Sequence, residues 1–180
     1  GELKGFKCDI WFFPAQDPIS YQLAEPFIGT IHDLMHRYQS HFPEVKSFFR
    51  YHIREHRFKN IVKFSSVLLV DSLVGKQHVI ESYQTTGEKI YPLPYIAPAY
   101  IYNEPERANF DSRYKLPKKF FFYPAQFWMH KNHIRLINSI RNLTGQFPDI
   151  ALVLSGSKRH NFKIVQKYVI DHGLENNILF

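Results

Sequence analysis

The sequence holds a single cysteine, Cys8, among 180 residues. One thiol makes no internal disulfide and no zinc cluster, and that scarcity favours a reducing compartment. Glycine is sparse too, at 8 residues. Neither a Walker loop nor a Gly-x-Gly-x-x-Gly turn is present, so phosphate has no glycine-rich cradle here. No apolar run approaches the roughly 20 residues that span a bilayer, and the opening Gly-Glu-Leu-Lys-Gly holds no apolar stretch. Acidic residues are outnumbered, 16 against 23 Lys+Arg, for a net charge of +7. That excess suits an anionic partner, whether nucleic acid, membrane surface or phosphate-bearing ligand, and does not choose among them.

Apolar residues are plentiful. Hydrophobic residues at 44% and charged residues at 22% match a folded chain and exclude wholesale disorder. Aromatics reach 17%, led by Phe 17 and Tyr 11, which supplies bulky core material. The length allows one sizeable domain or parts of two.

Short apolar runs at residues 10–13, 27–31, 67–70, 120–123, 150–154 and 178–180 read as strands. None alternates strictly, so they suit a parallel sheet covered by helices on each face. Helical spacing lies between several of them. Residues 132–147 set Leu136, Ile140, Leu143 and Phe147 on one stripe with Asn132 as a candidate N-cap. Residues 161–170 align Phe162, Val165 and Val169, with Gly173 just past the end as a stop. Ser72 is placed to cap a helix running to about Tyr83. Strand alternating with helix predicts an α/β fold. Residues 92–117 lose all period and gather Pro92, Pro94, Pro98, Pro105 and Pro117 with Asn103, Asn109 and Asp111, which marks a connection between two units. Phe-Phe-Pro-Ala-Gln at 12–16 and Phe-Tyr-Pro-Ala-Gln at 122–126 hint at two analogous strand exits.

The chemistry concentrates at those exits. In open α/β sheets ligands sit beyond the carboxyl ends of strands. Lys131, between a strand and a helix, could hold a phosphate as a point charge, and Gln126 could donate an amide to it. An ordinary loop with a solvated lysine fits the spacing as well. Ser155 and Gly156 form a second exit, offering a hydroxyl and close backbone approach, although a plain turn uses the same residues. His32 emerges where the strand 27–31 ends and could bond a ligand hydroxyl or shuttle a proton, with Asp33 orienting it or capping the next turn. His32 and His36 are a weak metal pair, because the zincin glutamate is missing. His52-Ile53-Arg54-Glu55-His56 matches the His-x-x-Glu-His pattern, but Arg50, Arg54, Arg57 and Lys59 oppose a divalent cation there. An amphipathic helix with aromatic core contacts and a charged outer face is the expectation for that segment.

Residues 124–133 resemble the opening of the C-terminal domain in group 1 (family 4) glycosyltransferases of GT-B fold. A strand there runs into Gly-Arg-x-x-x-x-Lys and then a helix; here Ala125 and Gln126 take the first two positions and Lys131 the last. Thr30-Ile31-His32-Asp33-Leu34 resembles the His-Asp motif of the N-terminal domain, Val70-Asp71-Ser72 a later strand-to-helix step, and residues 90–98 the approach to the linker. The similarity runs in consistent order over nearly the whole chain.

The resemblance implies two Rossmann-like units with parallel strands flanked by helices, meeting at a cleft: residues 1–114 with the linker, and residues 115–180. It implies sugar transfer from a GDP- or UDP-sugar to a glycan or lipid-linked acceptor, retaining, without metal or cofactor, and with no nucleic acid as partner. A mannose-type hexose and polysaccharide biosynthesis fit its flavour. Lys131 would grip the donor diphosphate, Gln126, Ser155 and Gly156 would join it, and His32 would act on the donor sugar from the other domain. Neutral Gln126 in an arginine position leaves part of the charge to another cation such as Lys158. The family's acceptor loop and its Glu-x7-Glu motif do not occur, so both units are expected to be incomplete and the fragment alone inactive. The expected location is cytoplasmic, with peripheral contact at the inner face of the membrane left open. Two rival readings use the basic run 50–63: a non-catalytic module for nucleic acid or an anionic membrane, or a metal hydrolase built on His52, Glu55 and His56.

Overall fold

Four short strands line up in chain order as one parallel sheet: β1 (Trp11–Phe12), β2 (Phe27–Ile31), β3 (Val67–Val70) and β4 (Ile90–Pro92). Helices α1 (Met35–Tyr38) and α2 (Phe48–Phe64) connect β2 to β3, α3 (Leu73–Tyr83) connects β3 to β4, and α4 (Tyr100–Asn103) follows. A second parallel sheet holds β5 (Phe121–Pro124), β6 (Leu152–Ser155) and β7 (Ile178–Leu179), joined through α5 (His133–Leu143) and α6 (Phe162–Asp171). This computed structural model describes residues 6–103 and 113–180. The expected turn residues Pro105, Asn109 and Asp111, and the opening five residues, lie outside the described residues. The chain divides into units Gly1–Tyr102 and Asn103–Phe180, parting within the proline-rich stretch.

In the first unit, Phe27, Ile31, Leu68 and Val70 of the sheet bury against Phe58, Ile61 and Val62 of α2 and Val79 of α3. Each such side chain contributes roughly 1.5–3 kcal/mol of transfer free energy. Helix α3 begins where expected, because the Ser72 hydroxyl accepts from Gly75 N–H at 3.0 Å. Helix α2 keeps Phe58 inside as expected, but Phe48 and Phe49 stand 83% and 74% exposed. Strand β4 was not anticipated: its three residues end in Pro92, which is tolerated because β4 is an edge strand.

The second core joins Leu152, Leu154 and Ile178 to Ile137 and Ile140 of α5 and to Phe162, Val165 and Val169 of α6. The α6 stripe falls as the spacing predicts, and Gly173 takes the left-handed conformation (φ 63°) past the helix end. Two expectations fail in α5. Asn132 is itself left-handed (φ 54°) and makes no side-chain cap bond. The buried stripe is His133, Ile137 and Ile140, and Phe147 is 57% exposed, because the helix stops at Leu143 and the chain turns away. Strand β5 also departs from the two-faced burial expected of it. It is an edge strand whose Phe121 and Phe122 are each 57% exposed.

Candidate functional site

The carboxyl edge of the first sheet is built around His32, one residue past β2. Its Nε2 lies 3.0 Å from the Pro14 carbonyl, and its Nδ1 lies 3.0 Å from Asp71 Oδ1 and 2.9 Å from the Tyr95 hydroxyl. Since the carbonyl only accepts, Nε2 carries a proton. Nδ1 then accepts from Tyr95 in the neutral ring or donates to Asp71 in the charged one. The Tyr95 ring stacks on the imidazole at 5.9 Å. Asp33 caps the next turn instead, accepting from Met35 N–H at 2.9 Å, so orientation of His32 belongs to Asp71 at the exit of β3. His32, Asp71, Tyr95 and Thr30 border a cavity of about 380 Å³. Both ring nitrogens are already engaged. The Tyr95 hydroxyl is the partner a ligand can replace without disturbing backbone.

The second sheet's edge is made by two exits running side by side. Ala125 N–H donates to the Ser155 carbonyl at 2.8 Å, and Phe127 N–H donates to the Ser157 carbonyl at 3.1 Å. Gly156 (φ 155°) permits this approach: a Cβ there would lie 2.3 Å from the Ala125 oxygen. The close neighbour at Gly156 is the Ala125 backbone. Beneath the exits His133 is fully buried, stacked on Phe127 at 4.4 Å, and burial holds its pKa below the ordinary imidazole value.

Gln126 uses its carbonyl oxygen within the protein. Its Oε1 accepts from Arg159 Nε at 2.9 Å and from Trp128 Nε1 at 3.1 Å. The Arg159 guanidinium lies over the Trp128 ring, 5.0 Å from its centre. Trp128 also begins the turn Met129–Lys131: its carbonyl accepts from Lys131 N–H at 3.2 Å, and the Lys131 carbonyl accepts from the Tyr123 hydroxyl at 3.0 Å. Lys131 is thereby fixed in its backbone with an exposed side chain. Ser155 and Gly156 border a cavity of about 820 Å³ together with Lys158, whose ammonium sits over Phe162 at 4.7 Å. Gln126 and Lys131 do not line that cavity.

Four residues escaped the sequence reading: Asp71 as partner of His32, Tyr95, Trp128 and Arg159. Only the aromatic run 127–128 beside a lysine offered a signal. The His52–Glu55–His56 arrangement does not form a metal site. Glu55 is taken by His36 Nε2 at 2.6 Å and by Arg37, while His56 bonds Asn60 at 3.0 Å. Among the described residues no group of three metal-ligating side chains occurs, and no helix is long and apolar enough to cross a membrane.

No protein-family model and no curated protein matches the sequence. Solved structures do. HepE of Anabaena, in complex with UDP and glucose, superposes with a TM-score of 0.71 at 13% identity, over 96% of this chain and 47% of its own. TarM gives 0.64 at 17% identity over 94% of this chain and 31% of its own. A glycosyltransferase of Rickettsia africae gives 0.61 at 19% identity over 99% and 48%. The chain spans about half the length of the first and third and about a third of the second. All three are GT-B glycosyltransferases. The fold of this chain, two helix-flanked parallel sheets, matches that of these GT-B neighbours.

Proposed function

We propose that the protein transfers a hexose, mannose among the candidates, from a GDP- or UDP-sugar to a glycan or lipid-linked acceptor, as in polysaccharide assembly. The observation that carries this reading is common to both units. Each parallel sheet sets a hydrogen-bonded polar pair at the carboxyl edge of its strands, His32 with Asp71 in the first and Gln126 with Arg159 in the second, where ligands of open α/β sheets bind. The neighbours add support, since HepE was solved with UDP-glucose and Staphylococcus aureus TarM with UDP, fondaparinux and a GlcNAc-glycerol.

In this mechanism Lys131 binds the diphosphate and offsets its growing charge as it departs, the principal electrostatic task of the reaction. Ser155 contributes a hydroxyl, Gln126 contributes its amide N–H groups, and Gly156 keeps the two exits together. His32 bonds the donor sugar in place of the Tyr95 hydroxyl. The bond from the anomeric carbon to phosphate oxygen breaks, a bond to the acceptor oxygen forms on the same face, and the acceptor proton passes to the leaving phosphate. In this reading the transfer retains anomeric configuration and needs no metal, the Lys131 ammonium offsetting the charge of the leaving diphosphate. No nucleic acid takes part; Phe48 and Phe49 beside Arg50 give a surface suited to peripheral contact with anionic lipid at the inner membrane face.

The test is sugar transfer from UDP- and GDP-sugars by the full-length gene product. Lys131→Ala is expected to lower kcat/KM by roughly 100-fold. Undiminished transfer would remove Lys131 from the donor site.

A further inference from the structure

A departing nucleoside diphosphate gathers more negative charge than one ammonium offsets, and the mechanism above sets only Lys131 against it, while Lys158 sits over the Phe162 ring. Gln126, directly at the β5 exit, is neutral. Its geometry shows what the neutral side chain does. Oε1 receives two donors, Arg159 Nε at 2.9 Å and Trp128 Nε1 at 3.1 Å, which fixes the amide with its oxygen towards the guanidinium. The Trp128 ring supports the same guanidinium at 5.0 Å. These two contacts use Nε and the flat face of Arg159. They leave both terminal nitrogens, which match the oxygen spacing of a phosphate. Among the described residues no carboxylate pairs with Arg159. An arginine at position 126 would repel this guanidinium, whereas glutamine holds it.

We propose that Arg159, positioned by Gln126 and Trp128, is a donor-binding residue that grips the diphosphate of the nucleotide-sugar alongside Lys131. The inference rests on the transferase reading and extends it to a residue 33 positions from Gln126. It also explains the role of glutamine. Besides its own amide N–H groups, Gln126 acts through Arg159, and the guanidinium charge stands on the β6 exit rather than at position 126.

The experiment is calorimetric titration of the full-length gene product with UDP, GDP, uridine and guanosine. The wild type is expected to bind one diphosphate more tightly than its nucleoside. Arg159→Gln should weaken that diphosphate roughly 10- to 100-fold, the worth of a charge-assisted bond, while the nucleoside stays within about twofold. The doubly exchanged variant, Gln126→Arg with Arg159→Gln, should recover most of the loss. Trp128→Leu should reproduce part of it. If Lys131→Ala weakens diphosphate binding and Arg159→Gln does not, the assignment of Arg159 is overturned and the transferase reading stands. Equal weakening of diphosphate and nucleoside by Arg159→Gln also overturns it, because that marks a general disturbance. If the wild type binds neither diphosphate, the transferase reading fails and takes this assignment with it.

Discussion

Glu55 gathers three neighbours onto one carboxylate: His36, Arg37 and the Tyr83 hydroxyl. Burial alone would raise its pKa, but the bonds from Arg37 and His36 hold it below the ordinary carboxylate value. His36 is 2% exposed, and burial lowers its pKa from 6.5 despite the bond to Glu55. Its Nδ1 is buried without a partner, which a neutral ring tolerates and a charged ring does not. Both groups thus bind protons less readily folded than unfolded. Stability is full above the unfolded His36 value of 6.5 and is lost as pH falls below it, continuing through the Glu55 range. The melting temperature is expected to drop between about pH 7.5 and about pH 5.5, and His36→Gln, though less stable at the upper pH, should drop less. Equal drops in thermal scans of both proteins would refute this account. Network residues of this sort explain why parts of the site were hard to read. His32 and Lys131 could be proposed from consecutive residues, because His32 directly follows a strand run and Lys131 lies in the short connection between a strand run and a helical stripe. Asp71, 39 residues from His32, and Arg159, 33 from Gln126, reach their partners only once neighbouring strands pair in parallel.

Strands and helices were more legible than the contacts between them, because an apolar run or a helical stripe is written in consecutive residues. Strands β2 and β3 fall where the runs 27–31 and 67–70 predict, and α6 buries the expected stripe. Strand β4 hid behind its brevity and Pro92, and α5 turned a different face inward because the buried His133 counts as apolar in its place. The repeated Pro-Ala-Gln of residues 14–16 and 124–126 acquires a physical meaning. In each unit it is a strand exit that holds a basic side chain from the next exit: the Pro14 carbonyl holds His32, and Gln126 holds Arg159. The second pair depends on close approach of the exits, hence on Gly156. Gly156→Ala would push a Cβ to 2.3 Å from the Ala125 oxygen at φ 155°, a position L residues rarely adopt. The backbone must separate, at a cost of about 2–4 kcal/mol. Faster amide exchange at residues 125 and 127 is the expected result, and unchanged protection there would show that the exits tolerate the side chain.

Each unit has its own core and its own carboxyl edge, so the net charge of +7 acts through particular residues and not as a uniform coat. Part of the charge is internal: Arg37 is bound to Glu55, and Lys89 donates to the Ser65 carbonyl at 2.9 Å. Part is placed at strand exits, on Lys131, Lys158 and Arg159. That distribution separates the transferase reading from a general polyanion binder. A diphosphate held at the β5 and β6 exits binds the folded second unit only, and at a hundredfold excess over its dissociation constant it stabilises that unit by about 2.7 kcal/mol. Hydrogen exchange with saturating UDP or GDP is therefore expected to slow the amides of residues 125–128 and 155–161 and to leave the core of α2 unchanged. A polyanion gathered by the basic run of α2 would do the reverse, protecting residues 50–63, and its effect would fade steeply as salt is raised. Protection of α2 by nucleotide, with none at the strand exits, would remove the donor site from the second unit.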